Sequence, residues 1–274
     1  MKTILFGIVL ILLLNIGHSS TVPLENLEAL WLFDENSGSV ANDSSGNNYN
    51  GSISGAAWSQ GKFGNALTFD GLDDSLIINN YYGVGGTNPR TVAFWFKGTA
   101  ITDHSWVKWG DPDNGEKYFI RAHPITGGAA LRVEVSGGQS YGSTNVADGL
   151  WHHLAVVFPE GANSVKDHLL YVDGVLEQNP GGGDLAMNRS TDTNKVYIGA
   201  PVTGLEQHAF ANGSMDEVAI FNTALSQSQI QNILSNGFES SFVNGIGNTS
   251  IPEPECFLLF SIVLLFSLIR FRNK

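Results

Sequence analysis

The sequence predicts an all-β fold in which two antiparallel sheets stack as a sandwich, with one short helix near the end of the domain. Short runs of β-branched and aromatic residues recur along the chain, and clusters of Gly, Asn and Asp separate them at the spacing of sandwich strands. In residues 131–135, Leu-Arg-Val-Glu-Val, apolar and charged side chains alternate. One face of that strand is therefore expected to pack inward while the other meets water.

Eleven strands are predicted from these runs. In chain order they are residues 29–33, 66–69, 76–78, 92–96, 118–121, 131–135, 154–158, 169–172, 175–177, 196–198 and 215–221. Asp173 and Gly174 lie between two of them. They predict a type I′ hairpin turn, because both residues tolerate positive φ.

One helix is predicted after the last strand. Ser226 and Gln229 have the spacing of a capping box, and the apolar residues at 230, 233 and 234 share one helical face. Gly237 is expected to end this helix. Residues 238–251 are rich in Ser, Asn and Gly, which is typical of a flexible linker, so the folded domain is expected to cover residues 20–237.

The first 19 residues are predicted to be a secretory signal peptide. Lys2 precedes an apolar run over residues 4–14, and Gly17 and Ser19 place small residues at the two positions that a signal peptidase reads. The run is too short to span a membrane and has no amphipathic period. Cleavage is therefore expected after Ser19.

The last 23 residues are predicted to be a sorting segment. Pro252, Glu253 and Pro254 precede an apolar run over residues 256–269 and a basic end. A comfortable transmembrane helix needs about 20 apolar residues, so this shorter run indicates a transient membrane anchor. The order of parts resembles the PEP-CTERM sorting signal of Gram-negative bacteria. The resemblance implies an inner-membrane intermediate, processing by an exosortase-type enzyme, and delivery to the cell surface or extracellular matrix.

Charge and cysteine content restrict the classes of partner and site. The chain carries 14 basic and 26 acidic residues, a formal net charge of −12. This balance argues against nucleic-acid binding, which depends on neutralising phosphates with Lys and Arg. Cys256 is the only cysteine and falls in the sorting segment. The folded domain is therefore expected to lack an intramolecular disulfide, a cysteine-based zinc site and a thiol nucleophile.

Six segments together resemble the successive motifs of LamG-like, concanavalin A-like lectin/glucanase domains. In chain order they are residues 30–35 (LWLFDE), 43–47 (DSSGN), 64–71 (GNALTFDG), 151–155 (WHHLA), 170–174 (LYVDG) and 213–218 (GSMDEV). The resemblance covers about residues 27–237. It implies that the two-sheet sandwich is a jelly roll.

Calcium is the cofactor that the residues suggest. The loop of residues 43–51 offers the Asp43 carboxylate, the Asn47 amide oxygen and further hydroxyl and carbonyl oxygens, which are the ligands that a hard cation prefers. The family resemblance adds Asp216, because the first and last strands of such domains commonly lie side by side; Asp34 is an alternative ligand. The ion would be structural. In the competing interpretation, Asp43 makes an Asx turn and Asp216 an ordinary hydrogen bond.

Trp106, Trp109, Arg121 and His123 are candidate ligand-binding residues. Two aromatic surfaces and a few directed polar groups are the combination that sugar sites use. Packing of both tryptophans in the core is the favoured interpretation, and the sugar platform is kept only as a candidate. Between these residues, segment 111–116 mimics the start of an EF-hand loop but lacks the Glu at position twelve, so a hairpin turn is predicted there.

The expected function is that of an exported, non-catalytic surface or matrix module that binds an extracellular polysaccharide or a surface glycoprotein. The chain contains no Glu-x-Asp-x-x-Glu strand, no Gly-x-Ser-x-Gly turn and no His-Glu-x-x-His helix. Two alternatives remain. One is a structural or adhesive matrix protein without a sugar site, and the other is a polysaccharide-degrading enzyme with dispersed catalytic residues.

Overall fold

The computed structural model describes residues 22, 24–110, 117–135, 137–178, 180–187, 195–200 and 210–241. The predicted signal peptide, the sorting motif of residues 252–254, the apolar run of residues 256–269 and the segment 111–116 lie outside these ranges. Among the helices that are described, none is both long and apolar enough to cross a membrane.

The described residues form sixteen β-strands and one α-helix. The strands are β1 (Leu27–Trp31), β2 (Val40–Ala41), β3 (Gly51–Ser54), β4 (Ala57–Gln60), β5 (Asn65–Asp70), β6 (Ser75–Ile78), β7 (Arg90–Lys97), β8 (Ser105–Trp109), β9 (Tyr118–Ile125), β10 (Gly128–Val135), β11 (Gly138–Tyr141), β12 (His152–Phe158), β13 (Leu169–Val172), β14 (Val175–Leu176), β15 (Val196–Ile198) and β16 (Asn212–Phe221). The helix is α1 (Gln227–Ser241).

The strands are arranged in two antiparallel sheets. In the first sheet the order is β14-β13-β12-β7-β16-β5-β4, and β1 pairs with the second half of β16 while β5 pairs with its first half. In the second sheet the order is β11-β10-β9-β8-β15-β6-β3-β2. The predicted all-β sandwich with a helix near the end of the domain is therefore confirmed.

The main core lies between the two sheets. Phe94 and Phe96 of β7 contact Trp106 of β8, with ring centroids 5.8 and 4.9 Å apart. The apolar residues of β10 join the same cluster, whereas Arg132 and Glu134 alternate with them and belong to the outer face of the second sheet. The predicted alternation in this strand is confirmed.

Helix α1 covers the outer face of the first sheet, where Ile230 and Ile233 are fully buried. The predicted capping box is present, because the Ser226 N–H donates to Gln229 Oε1 over 2.9 Å and the Gln229 N–H donates to Ser226 Oγ over 3.3 Å. Gly237 interrupts the helix with φ 73°, at the position where the sequence predicts its end.

Candidate functional site

A polar cleft of about 410 Å³ opens on the outer face of the second sheet. It is lined by Asp103, Arg121, Arg132, Glu134, Gly137, Gly138, Gln139 and Gly183. Its volume lies in the range of small-ligand sites. Charged and amide side chains supply one part of its wall and glycine backbone the other.

Strands β9, β10 and β11 place the polar side chains of the cleft next to one another. The register pairs Arg132 with Arg121 on one side and with Tyr141 on the other, and it pairs Glu134 with Gln139. Directly paired residues in antiparallel strands point to the same face of the sheet. Arg121, Arg132 and Glu134 therefore form one group on the outer face.

Asp103, in the segment before β8, holds the two arginines together. Its Oδ1 accepts a hydrogen bond from Arg121 Nε over 2.7 Å, and its two oxygens accept from Arg132 Nη2 over 2.9 and 2.8 Å. Like charges directly opposite each other on neighbouring strands destabilise a sheet, and the carboxylate offsets that repulsion. The Asp103 side chain is 39% exposed, whereas the guanidinium side chains are nearly buried.

Glu134 forms the second acidic centre of the cleft. Its carboxylate lies 2.5 Å from Lys117 Nζ and 3.1 Å from Arg132 Nη2. Gln139 accepts a hydrogen bond from Arg132 Nη1 over 3.2 Å, so its amide is also fixed. The cleft thus presents rigid acceptors and donors, an arrangement that suits a ligand with several hydroxyl groups.

The far wall of the cleft is formed by the segment of residues 180–187, which lies beside β11. The Gln139 N–H donates to the Gly183 carbonyl over 2.8 Å, and Tyr141 and Gly181 exchange two main-chain hydrogen bonds. Lys166 Nζ donates to the carbonyls of Pro180 and Gly181 over 2.6 and 2.7 Å. These contacts fix the glycine-rich wall against the sheet.

Of the four predicted ligand-binding residues, the structure places one in the cleft. Arg121 lines it, and His123 lies nearby with its ring stacked on Tyr141 at 3.7 Å between centroids. Trp106 and Trp109 are fully buried in the core between the sheets. Neither indole offers a face to a sugar, so the sugar-platform hypothesis is wrong for both tryptophans and the packing interpretation is confirmed.

The predicted calcium ligands near the start of the domain are engaged by main-chain groups. Asp43 accepts hydrogen bonds from the N–H groups of Leu30, Ser45 and Tyr49 over 2.9–3.0 Å, and the contact with Ser45 is an Asx turn. Asn47 Nδ2 donates to a carbonyl of β1 over 2.9 Å. Calcium binding stays a prediction, which thermal unfolding with and without a chelator can test.

Asp216 is fully buried and holds the turn between β4 and β5. Its Oδ2 accepts hydrogen bonds from the N–H groups of Lys62 and Phe63 over 2.7 and 3.0 Å, while Asp34 accepts one from the Asn65 N–H over 2.8 Å. Burial raises the pKa of the Asp216 carboxyl to about 7, although these N–H groups favour the charged form. Asp43 and Asp216 thus bind different segments of the main chain.

The Asp216→Asn variant is expected to gain stability relative to the wild type as the pH rises from about 5 to 8. The carboxyl has a raised pKa in the folded wild type, so between about pH 4 and pH 7 the folded protein keeps a proton that the unfolded chain releases. The stability of the wild type therefore falls as the pH rises through this range. Asparagine keeps an acceptor oxygen but does not titrate. Calorimetry in chelator at four pH values measures the effect, and a variant-to-wild-type difference that is constant with pH would contradict it.

Asp70, Asp73 and Asp74 form a second acidic group, which was not predicted from the sequence. Their carboxylate oxygens lie within 4.8 Å of one another, which could hold a metal ion. Asp70 and Asp73 are exposed, and Asp74 accepts a hydrogen bond from the Asp70 N–H over 2.8 Å. Burial raises the pKa of Asp74. Asp70, which accepts a hydrogen bond from the Leu72 N–H, and Asp74 therefore order the turn between β5 and β6.

Comparison with known proteins identifies the fold. The family model for the concanavalin A-like lectin/glucanases superfamily, Laminin_G_3, matches residues 69–231, which is more than half of the chain. No curated protein matches the chain.

Solved structures with the same fold include carbohydrate-active and toxin proteins. Domain 4 of a GH43 extracellular arabinanase from Geobacillus stearothermophilus, solved with arabinotriose, is 23% identical with a TM-score of 0.58 and covers 76% of this chain and 98% of that one. The binding domain of Paraclostridial Mosquitocidal Protein 1 is 14% identical with a TM-score of 0.56, covering 77% and 52%. A Trypanosoma rangeli sialidase is 15% identical with a TM-score of 0.56, covering 78% and 33%. At these identities the likeness establishes the fold alone.

Proposed function

Because this chain belongs to the concanavalin A-like lectin/glucanase superfamily, we propose that it is a non-catalytic carbohydrate-binding module whose glycan binds in the cleft around Arg132. The observation that supports this function is the cleft itself, a fixed set of donors and acceptors in a volume of about 410 Å³. The match of this chain's fold to the arabinanase domain solved with arabinotriose supports the same ligand class.

The exposed groups of the cleft favour a neutral glycan. Asp103 is its most accessible charged group, because the arginines that bind it are nearly buried. A carboxylate accepts hydrogen bonds from sugar hydroxyls but repels carboxylated or sulfated sugars. The net charge of −12 adds to that repulsion over longer distances.

Hydrolysis is a second candidate function, because two carboxylates share the cleft. Asp103 and Glu134 both contact Arg132 Nη2, at 2.8 and 3.1 Å, and glycosidases use a closely spaced carboxyl pair. Both carboxylates, however, are engaged in ion pairs with the arginines, Asp103 with Arg121 and Arg132 and Glu134 with Arg132, rather than directed at the space that a sugar would occupy. Binding without cleavage therefore agrees better with this geometry. Release of reducing ends from a bound polysaccharide would favour the enzyme.

The Gly183→Leu variant is expected to bind a neutral oligosaccharide at least about tenfold more weakly than the wild type, which corresponds to about 1.4 kcal/mol or more. Gly183 lines the cleft, and a Cβ at this position would meet no atom within 4 Å, so the new side chain fills the cleft without straining the fold. Arabinotriose is the first probe, measured by isothermal titration calorimetry. Exposed Ala57, on β4 of the other sheet, provides the matched control Ala57→Leu.

Two outcomes of this experiment are decisive. Equal loss of affinity in the Gly183 and Ala57 variants would place the sugar away from the cleft. Absence of binding to any neutral or anionic polysaccharide on a glycan array would favour the alternative of a structural or adhesive protein without a sugar site.

The module is proposed to act outside the cytoplasm, at the cell surface or in the extracellular matrix. Support comes from the signal-peptide pattern of residues 1–19 and from Pro252, Glu253 and Pro254 ahead of the apolar run. Mass spectrometry of the mature protein from the producing cells tests this. A new N-terminus after Ser19 and a C-terminus near Pro254 are expected, whereas an intact Lys274 would argue against sorting by cleavage.

A further inference from the structure

Four large hydrophobic side chains are exposed at one end of the first sheet. Leu72, Val175, Leu150 and Ile101 are 73%, 66%, 64% and 54% exposed. The described part of the chain contains only two other exposed large hydrophobic side chains, and each of these is 45% exposed. Exposed apolar side chains that gather in one place mark an interaction surface, whereas scattered ones do not.

Two of the four side chains are presented by the same local structure. In Asp70-Gly71-Leu72 the Asp70 Oδ1 accepts a hydrogen bond from the Leu72 N–H over 2.8 Å, and in Asp148-Gly149-Leu150 the Asp148 Oδ1 accepts one from the Leu150 N–H over 2.9 Å. The two glycines have nearly equal φ, 83° and 84°. An Asx turn of this kind fixes the backbone by its own side chain, so each leucine is held outward rather than left in a mobile loop.

The four side chains lie along one end of the sheet because their strands end there. Leu72 follows β5, Ile101 follows β7, Leu150 precedes β12, and Val175 follows the tight turn after β13. In the order β13-β12-β7-β16-β5, neighbouring strands are antiparallel, so these positions fall at the same end. Val175 lies in β14, the next strand after β13, so the row covers five strand spacings and at about 4.8 Å per spacing extends over roughly 24 Å.

Hydrogen bonds join these loops into one surface. The Gly149 N–H donates to the Gly98 carbonyl over 2.9 Å, which ties the loop of Leu150 to the segment that carries Ile101. Asn212, at the start of β16, donates from Nδ2 to the Asp70 carbonyl over 3.3 Å. The loops are therefore positioned relative to one another and do not have to be ordered when a ligand binds.

Acidic side chains accompany the exposed aliphatic ones. Asp70 and Asp148 lie two residues before the leucines, and Asp173 lies two residues before Val175. The His152 ring bridges the last two carboxylates, at 3.0 Å from Asp148 and 2.8 Å from Asp173. We call the four aliphatic side chains and these three aspartates the acidic–aliphatic rim.

We propose that the acidic–aliphatic rim docks a cationic amphipathic segment of a protein partner. Such a segment offers apolar side chains to Leu72, Leu150 and their neighbours and positive charge to the aspartates, and a helix of about 16 residues covers the length of the row. A second copy of this chain is a poor occupant, because its own net charge is −12. The rim is independent of the sugar cleft.

The test uses the full chain and a synthetic helical peptide with leucine on one face and lysine on the other. Fluorescence anisotropy at physiological salt is expected to give at least tenfold weaker binding for the Leu72→Ser/Leu150→Ser variant than for the wild type. The matched control is Val40→Ser/Tyr82→Ser, which removes the two exposed hydrophobic side chains outside the rim. This control is expected to bind within about twofold of the wild type, and the thermal midpoints of both variants should equal that of the wild type.

Three results would overturn the proposal. Unchanged binding after the rim substitutions, or equal weakening in both variants, would show that the peptide does not use the rim. A peptide of the same charge with glycine in place of leucine that binds equally well would show attraction by charge alone. Tighter binding to zwitterionic lipid vesicles than to the peptide, with loss in the rim variant, would assign the rim to a membrane instead.

Discussion

Replacement of Arg90 with methionine is expected to lower the free energy of unfolding by about 3–5 kcal/mol, because it removes the partner of several buried carbonyl groups. Arg90 is the first residue of β7 and is fully buried. Its Nη1 donates to the Val84 carbonyl over 2.5 Å, its Nε donates to the Asn88 carbonyl over 3.1 Å, and its Nη2 donates to the Gly86 carbonyl. The guanidinium group therefore fixes the backbone that leads into the central strand.

The surroundings of Arg90 explain why this cation is tolerated in the interior. Its guanidinium carbon lies 4.9 Å from the ring centroid of Tyr118 and 5.3 Å from that of Phe158. Aromatic faces and carbonyl dipoles both attract a positive charge. Burial nevertheless lowers the pKa of Arg90, as expected for a cation removed from water.

Arg90→Lys is the informative control. Lysine keeps the charge but presents its donors from a single point, so it cannot reach all the carbonyls that the planar guanidinium reaches. The free energy of unfolding of the lysine variant should lie between those of the wild type and the methionine variant. Urea unfolding followed by circular dichroism measures it. A methionine variant as stable as the wild type would contradict the assigned role of Arg90.

Trp106→Ala is expected to lower the free energy of unfolding by about 3–5 kcal/mol, the usual cost of removing a large aromatic side chain from a core. The indole ring contacts Phe94, Phe96 and His104, with centroids 5.8, 4.9 and 5.5 Å away. It therefore joins the two sheets, and its removal leaves a cavity that rigid strands cannot close. Urea unfolding measures the loss.

Trp106→Phe separates packing from hydrogen bonding at this position. The indole N–H has no hydrogen-bond partner among the described residues, so phenylalanine removes no such bond and keeps most of the aromatic contact. Its cost should be about 1 kcal/mol, well below that of alanine. If the alanine variant stayed stable and instead lost sugar affinity, the tryptophan would belong to a binding site.

Most strands that face the core could be predicted from the sequence, although the buried strand β8 was missed, and short polar strands could not be predicted. The predicted runs 169–172 and 196–198 coincide with β13 and β15. Strands β3 and β11 read Gly-Ser-Ile-Ser and Gly-Gln-Ser-Tyr, which have weak strand propensity, and they were not predicted. Their neighbours in the sheet, rather than their own residues, make them strands.

The burial of both tryptophans has a local cause. Residues three apart in a regular strand point to opposite faces, so periodicity alone would place only one of Trp106 and Trp109 in the core. A register shift between Ser105 and Val107 in the pairing with β9 inserts an extra residue, and this lets both tryptophans enter the core. A single sequence gives no signal for such a bulge.

Only some of the residues that line the cleft could be predicted from the sequence. Arg121 was predicted as a ligand residue, and the alternation in residues 131–135 placed Arg132 and Glu134 on a solvent-facing side. Asp103 and Gly183 come from distant segments. They meet only because strands β8, β9, β10 and β11 pair in succession and the segment that contains Gly183 lies beside β11. Register and long-range contact decide the site, and neither follows from local pattern.

The pairing of β1 with β16 determines how the domain responds to mechanical tension. The strands are antiparallel and Leu27 faces Phe221, so the entering and leaving ends of the sandwich lie side by side. A pull applied between these ends loads the hydrogen bonds of the pair one after another, as in opening a zipper, instead of shearing them together. Once α1, which follows β16, has detached, a domain pulled in this geometry is expected to yield at lower force than one whose terminal strands are sheared, and to lengthen early when tethered at both ends.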